Sequence, residues 1–418
     1  MGQHNKRLEY KWIILAACFL MTFFTLGFCS SNKSLFLSAI TDALQIPRSL
    51  FSINESFRFA SSALINLFFG TLLCRFGVRK LVAFGFLSLA ASMFIYSVAH
   101  HIALFYLGGI LLGAGLTFTT GTMTSCIIRR WFKKDIGKYI GIVYAANGIG
   151  GALAAQIVSP IIYDIQNPLG YQNAYRLISI ILVVVGALLV IALREQPNGD
   201  AAARTEESAE QVSNPDPVSI PYPQAIRLPI FYIVGLVIFL TGFMLQGVNT
   251  VYAAHLKDSG LSTEYVAIIV SVFSLALTFT KILMGAMYDR FGLKIVMIIC
   301  QLASAVGFAI LAFIQPNLSG RIMAVIFALL YAVALPLETL AIPLIVNDLF
   351  GDASFHKIMG IFIAMNYAGY ALGAPIINLC YDKLGSYKPA FLLYAIFMLI
   401  TLFLFQWVLK RQRTTSPM

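Results

Sequence analysis

Five ionisable side chains lie inside long apolar stretches of this chain: Lys33, Glu55, Arg58, Lys281 and Glu338. A charge at membrane depth costs about 3 kcal/mol on insertion scales, so each is a candidate for function. Three cations against two carboxylates leave one positive charge over, which suits an organic anion or a carboxylate-bearing zwitterion. Depth follows from the helical rise of about 1.5 Å per residue. Counted from Asp289, Lys281 is about 12 Å in. Counted from Asp348, Glu338 is about 15 Å in, at the midplane. Asn147 and Asn366 fall at about 14 Å, whereas Lys33 and Arg58 fall in the outer half.

Each residue has more than one chemistry open to it. Lys281 can bind a carboxylate as a point charge or pair with Glu338. Lys33 can meet substrate or snorkel towards a helix end. Glu55 and Arg58, three residues apart on one face, can pair locally, so Arg58 reads first as a structural or gating residue and second as a binding one. Glu338 lies in LYAVALPLETLAIP, close to two prolines. There it can exchange a proton or neutralise Lys281.

Such residues need elements to hold them at depth. The chain has 418 residues, 59% hydrophobic and 11% charged. Soluble proteins carry about 25% charged residues, so a soluble multi-domain reading is excluded. Apolar runs recur at roughly 12–40, 52–74, 80–99, 103–128, 139–163, 174–193, 230–254, 265–288, 294–314, 322–347, 357–380 and 388–409. At about 20 residues per crossing, these predict an all-α membrane fold of twelve transmembrane helices in two six-helix bundles. The first run reads as a retained helix rather than a signal peptide, because eleven more follow.

The net charge of +11 would suit nucleic acid, but the basic residues occupy short clusters between apolar runs. Twenty lie on the side of the chain ends and six on the other. That asymmetry predicts both termini in the cytoplasm, with the protein in the plasma membrane and no nucleic-acid partner. The six cysteines form no CxxC pair, so no disulfide framework or metal site is expected. The only long polar stretch, 195–227, reads as a disordered cytoplasmic linker. It separates an N-terminal bundle, 1–194, from a C-terminal bundle, 228–418. No GxxxxGK, HExxH or GxSxG pattern occurs, so neither ATP drive nor an enzyme is expected. No cofactor is implied. The expected partners are a small organic anion, protons and membrane lipid, around a monomer.

The halves repeat. Gly70-TLLC-Arg75-F-Gly77-V-Arg79-Lys80 matches Gly285-AMY-Asp289-Arg290-F-Gly292-L-Lys294 at an offset of 215. Gly141-IVYAA-Asn147-GI-Gly150 matches Gly360-IFIAM-Asn366-YA-Gly369 at an offset of 219. Parallel repeats of this kind predict a pseudo-two-fold axis along the membrane normal, with a site between the halves near the midplane. Glycine in the tight loops permits positive φ and close helix approach.

With these motifs the chain resembles a major facilitator superfamily transporter over nearly its whole length. The loops Gly70–Lys80 and Gly285–Lys294 resemble that superfamily's signature loop, with gating residues Gly70, Arg75, Gly77, Arg79, Gly285, Asp289, Arg290 and Gly292. The first copy departs by carrying Cys74 at the usual acidic position. The stretch from Arg130-Trp131-Phe132 to Gly150 is similar to the monocarboxylate transporter and oxalate/formate antiporter branch. In that branch an arginine four residues before the second signature glycine binds the substrate carboxylate, and Lys281 holds that place. Lys33 resembles the first-helix lysine of monocarboxylate transporters. The second substrate cation of the oxalate-type relatives is matched by Asn366, and the monocarboxylate relatives' aspartate by Leu277. The resemblance implies carboxylate transport by alternating access, although with Leu277 the relatives' usual coupling pair is incomplete; the midplane position of Glu338 is what suggests proton symport. Carboxylate exchange, or efflux of amphipathic drug-like compounds on the same fold, are the alternatives.

Overall fold

No water reaches a backbone amide in hydrocarbon, so a crossing segment must bond to itself as a helix. The computed structural model describes residues 2–132, 136–164, 167, 169–193, 221–339, 341–351 and 355–415, and among these there is no strand. The helices are α1 (Gly2–Cys29), α2 (Lys33–Leu44), α3 (Arg48–Val98), α4 (Ile102–Thr119), α5 (Gly121–Trp131), α6 (Ile136–Ile162) and α7 (Gly170–Ala192). They continue as α8 (Tyr222–Ala225), α9 (Pro229–Asp258), α10 (Thr263–Ala312), α11 (Leu318–Ala334), α12 (Pro336–Thr339), α13 (Ala341–Phe350), α14 (Phe355–Leu384) and α15 (Lys388–Thr415). Of the expected linker, 195–220 lies outside the described residues, and 221–227 carries only the short α8.

Among the described residues, 11 stretches are long and apolar enough to cross a membrane. One of them, α3, has 51 residues. At the helical rise that is about 75 Å, over twice the thickness of the hydrocarbon core, so α3 makes two crossings. With that division the expected twelve crossings are present. The chain reverses at Gly77, with φ 75° and ψ 167°, and α10 reverses in the same way at Gly292, with φ 74° and ψ 173°. Only glycine adopts that backbone without strain. The other glycine of each signature loop behaves differently. Gly70 and Gly285 are helical, and a Cβ added to either would meet nothing within 4 Å.

The repeat extends to packing. A Cβ on Gly150 would lie 2.3 Å from the Phe23 carbonyl oxygen, so α6 and α1 touch backbone to backbone. A Cβ on Gly369 would meet the Phe239 carbonyl oxygen at 2.3 Å, joining α14 to α9 in the same way. Small residues at such crossings let helices associate where lipid supplies no hydrophobic drive.

The described chain forms two compact units. The first comprises Met1–Ile46, Phe57–Glu210 and Thr263–Thr278; the second comprises Pro47–Ser56, Gln211–Ser262 and Phe279–Met418. The two short segments that depart from a simple division into halves have bonds inside the unit they join. Arg48 bonds Asp258 in the second unit, and Ser271 receives a hydrogen bond from Gln156 at 2.8 Å in the first. Each unit turns large side chains outward, among them Leu67 at 79% exposure and Phe403 at 72%. Bare apolar surface on that scale fits lipid contact.

Candidate functional site: a polar cluster at a broken helix in each unit

In the first unit the first crossing is interrupted. Helix α1 ends at Cys29 and α2 begins at Lys33, leaving Ser30, Ser31 and Asn32 as a turn. The turn is held by its own side chains. Asn32 donates to the Gly27 carbonyl at 2.8 Å, and Ser31 donates to Asn147 Oδ1 at 2.9 Å. Buried Arg58 donates to Ser30 Oγ at 3.0 Å, and its guanidinium stacks 4.3 Å above the Phe59 ring. The Lys33 ammonium lies 5.9 Å from the same ring. Three residues singled out separately in the sequence, Lys33, Arg58 and Asn147, therefore converge on one unwound turn. Unwound backbone at membrane depth is tolerated where protein surrounds it or it lines a cavity, and such breaks mark substrate and ion sites in transporters.

The second unit has its break in the crossing made of α11, α12 and α13, and Glu338 lies within it. In the first unit the equivalent residue, Thr120, also stands at a break, capping α4 before α5 with an extended backbone. Thr280 donates to the Ala332 carbonyl at 2.7 Å, which draws the Lys281 segment of α10 against α11. Lys281 and Glu338, each half-buried, thereby come within electrostatic reach of one another. The Tyr370 hydroxyl lies close enough to the Glu338 carboxylate to interact with it. Tyr331 lies near enough to feel that charge and donates to the Leu245 carbonyl at 2.5 Å.

The remaining sequence candidates separate from these clusters. Asn366 is 2% exposed and donates to the Ile238 carbonyl at 3.4 Å, so its amide bonds the α9–α14 packing seam. Glu55, in the second unit, accepts from Gln246 at 3.3 Å. The signature loops place Arg75 5.4 Å over Phe76 and Arg290 5.3 Å over Phe291, a repeated stacking on the exposed turns. Arg79 and Asp289 are exposed beside the same turns, and on the helices leading into them Gly70 is exposed and Gly285 half-exposed. Beside the second loop, Tyr288 donates to Asp348 at 2.7 Å. Sequence reasoning missed Tyr370. It stands four residues beyond Asn366, on the same helix face, and that spacing was the signal available.

The comparisons agree with this architecture. The Major Facilitator Superfamily model matches residues 15–244 and 234–417. Human monocarboxylate transporter 12 is 23% identical over 97% of this chain and 82% of its own length. The uncharacterized MFS-type transporter YcxA of Bacillus subtilis is 28% identical, and multidrug resistance protein 2 of the same organism is 25% identical. The matches to these two span only 46% and 63% of their lengths, and the same shares of this chain. The crystal structure of nucleoside transporter NupG superposes with a TM-score of 0.74 over 95% of this chain and 99% of that one, at 15% identity.

Proposed function

Because this chain belongs to the Major Facilitator Superfamily, and is thus a multi-pass membrane transporter rather than an enzyme, we propose that it carries a small organic carboxylate by proton symport. The observation that carries the reading is the juxtaposition of Lys281, Glu338 and Tyr370 at the broken crossing of the second unit. Lys281 supplies the fixed positive charge for the substrate carboxylate. Bringing that anion beside an ionised Glu338 would set two like charges together in a medium of low dielectric. A proton on Glu338 removes the conflict, so substrate and proton bind and cross together. Without substrate, ionised Glu338 is neutralised by Lys281, and the empty carrier can return.

In this scheme the Tyr370 hydroxyl steadies the Glu338 carboxylate, and Lys33, Arg58 and Asn147 form a separate polar cluster within the first unit. The likeness to monocarboxylate transporter 12 supports a carboxylate substrate. The basic-residue asymmetry supports cytoplasmic termini. Uptake of radiolabelled monocarboxylates into proteoliposomes, with and without an inward proton gradient, tests the proposal. Accumulation that follows the gradient supports symport. Equal uptake in both conditions leaves exchange as the mechanism. Efflux of cationic dyes in place of carboxylate uptake would favour the drug-export reading that multidrug resistance protein 2 suggests.

A further inference from the structure

On the membrane end that carries the C-terminus, the second unit has a groove of about 460 Å³ between the part of α10 after Gly292 and the last turns of α15. Its walls are Ile298, Leu402 and Phe403, and Lys294 and Lys410 stand at its rim. Gln406 lies between rim and wall. Its amide nitrogen and oxygen are both shielded from solvent, and neither meets a hydrogen-bond partner among the described residues. A shielded amide without a partner is costly, and a hydrogen-bonding group that enters the groove would relieve that cost. The level of the membrane surface is marked by Trp407, which is 45% exposed with the Arg411 guanidinium 5.1 Å over its ring. Amphipathic rings settle at the headgroup region.

The order along α15 matches the order of chemistry along a phospholipid. Lys410 is at the surface. Gln406 is one turn deeper, about 6 Å, where the glycerol esters of a lipid begin. Leu402 and Phe403 are a further turn in, at the depth of acyl chain. From this order we propose that the groove binds an anionic phospholipid. The phosphate sits between Lys294 and Lys410, an ester carbonyl accepts from the Gln406 amide, and one acyl chain runs along Ile298, Leu402 and Phe403. Basic pockets between helices at the cytoplasmic leaflet take anionic headgroups in this way. The site does not involve Lys281 or Glu338, so it stands whether or not the transport scheme is right.

Native mass spectrometry of the purified full-length protein, titrated with phosphatidylglycerol or with phosphatidylcholine, tests it. The wild type should retain phosphatidylglycerol in preference. The double variant Lys294→Gln/Lys410→Gln should lose that preference, with affinity for phosphatidylglycerol falling roughly thirtyfold for two surface lysines. Gln406→Leu should weaken both lipids and leave the preference intact. A photoactivatable phosphatidylglycerol in phosphatidylcholine vesicles should label wild-type α15 between 402 and 410, a readout that needs no variant to fold. Equal retention of the two lipids by the wild type would overturn the proposal. So would wild-type affinity in the double variant, label with no enrichment on α15, or displacement of the lipid by inorganic phosphate alone.

Discussion

The Arg48 guanidinium grips both carboxylate oxygens of Asp258, with Nη1 at 2.5 Å and Nη2 at 3.1 Å. Arg48 is 5% exposed and opens α3; Asp258 closes α9. The same guanidinium lies 4.1 Å over the Tyr381 ring and donates to Tyr387 at 3.3 Å. Asp382 adds a second carboxylate, accepting from the backbone amides of Arg48 and Ser49 at 3.0 and 2.8 Å. An anion at a helix N-terminus satisfies amides that have no partner inside the helix. Tyr387 donates to Asn378, which donates to Ser52 at 2.7 Å, so the first turns of α3 are bonded along their length within the second unit.

Removing one partner of a bidentate buried pair leaves an uncompensated charge. Arg48→Ala should lower stability by about 3 kcal/mol, the low end of the usual range because Asp258 is partly hydrated. The double variant Arg48→Ala/Asp258→Ala should lose less than the two single losses added together. Thermal unfolding in detergent measures both, and a wild-type midpoint for Arg48→Ala would show that the pair carries no stability.

Transport should depend on the charge of Lys281. Lys281→Ala abolishes carboxylate uptake while the protein stays inserted and folded. Lys281→Arg keeps the charge but brings a planar head and restores binding only in part. Proteoliposome uptake, normalised to inserted protein, checks this. Normal uptake by the alanine variant would remove Lys281 from the site.

Glu338→Gln should separate exchange from accumulation. The amide cannot release a proton, so it keeps counterflow of labelled against unlabelled carboxylate and loses accumulation driven by an acid exterior. Counterflow and gradient-driven uptake measured on one preparation decide it. A full response of Glu338→Gln to the gradient would leave Glu338 as a structural partner of Lys281.

Tyr370→Phe removes the hydroxyl that lies beside Glu338 and little else. It should shift the pH profile of uptake while leaving the amount of folded protein unchanged. A purely structural tyrosine would change stability and leave the profile where it is.

The two glycines of each signature loop should respond differently. Gly77→Ala and Gly292→Ala force a side chain into a backbone region open essentially to glycine alone, at a cost of about 1–3 kcal/mol each. Gly70→Ala and Gly285→Ala fill open space on a helix and should be neutral or gain about 0.5–1 kcal/mol. Unfolding midpoints of the four variants test the contrast.

Much of this was legible before any coordinates. Low charge, apolar runs of crossing length and repeats at fixed offsets depend only on local composition, and the helices follow because hydrocarbon leaves the backbone no other partner. The loops at Gly77 and Gly292 were readable for the same reason: glycine and arginine at a set spacing mark a turn at the membrane surface. The sequence also pointed to Lys33, Arg58 and Asn147, but not to their common environment. That environment depends on an unwound turn at Ser30–Asn32, and no proline or glycine inside the turn announces it.

By itself the sequence determined the membrane class, the number of crossings, the internal repeat and which charges fall inside apolar stretches, because each of these depends on local composition and order along one chain. Tertiary structure alone decided which partners those charges meet. Arg58 found Ser30, Glu55 found Gln246 and Glu338 found Tyr370, across separations of 28, 191 and 32 residues. Pairings of that range follow from how helices are rotated and slid against one another. That arrangement is set by close glycine contacts such as Gly150 on Phe23 and Gly369 on Phe239, which sequence spacing does not reveal.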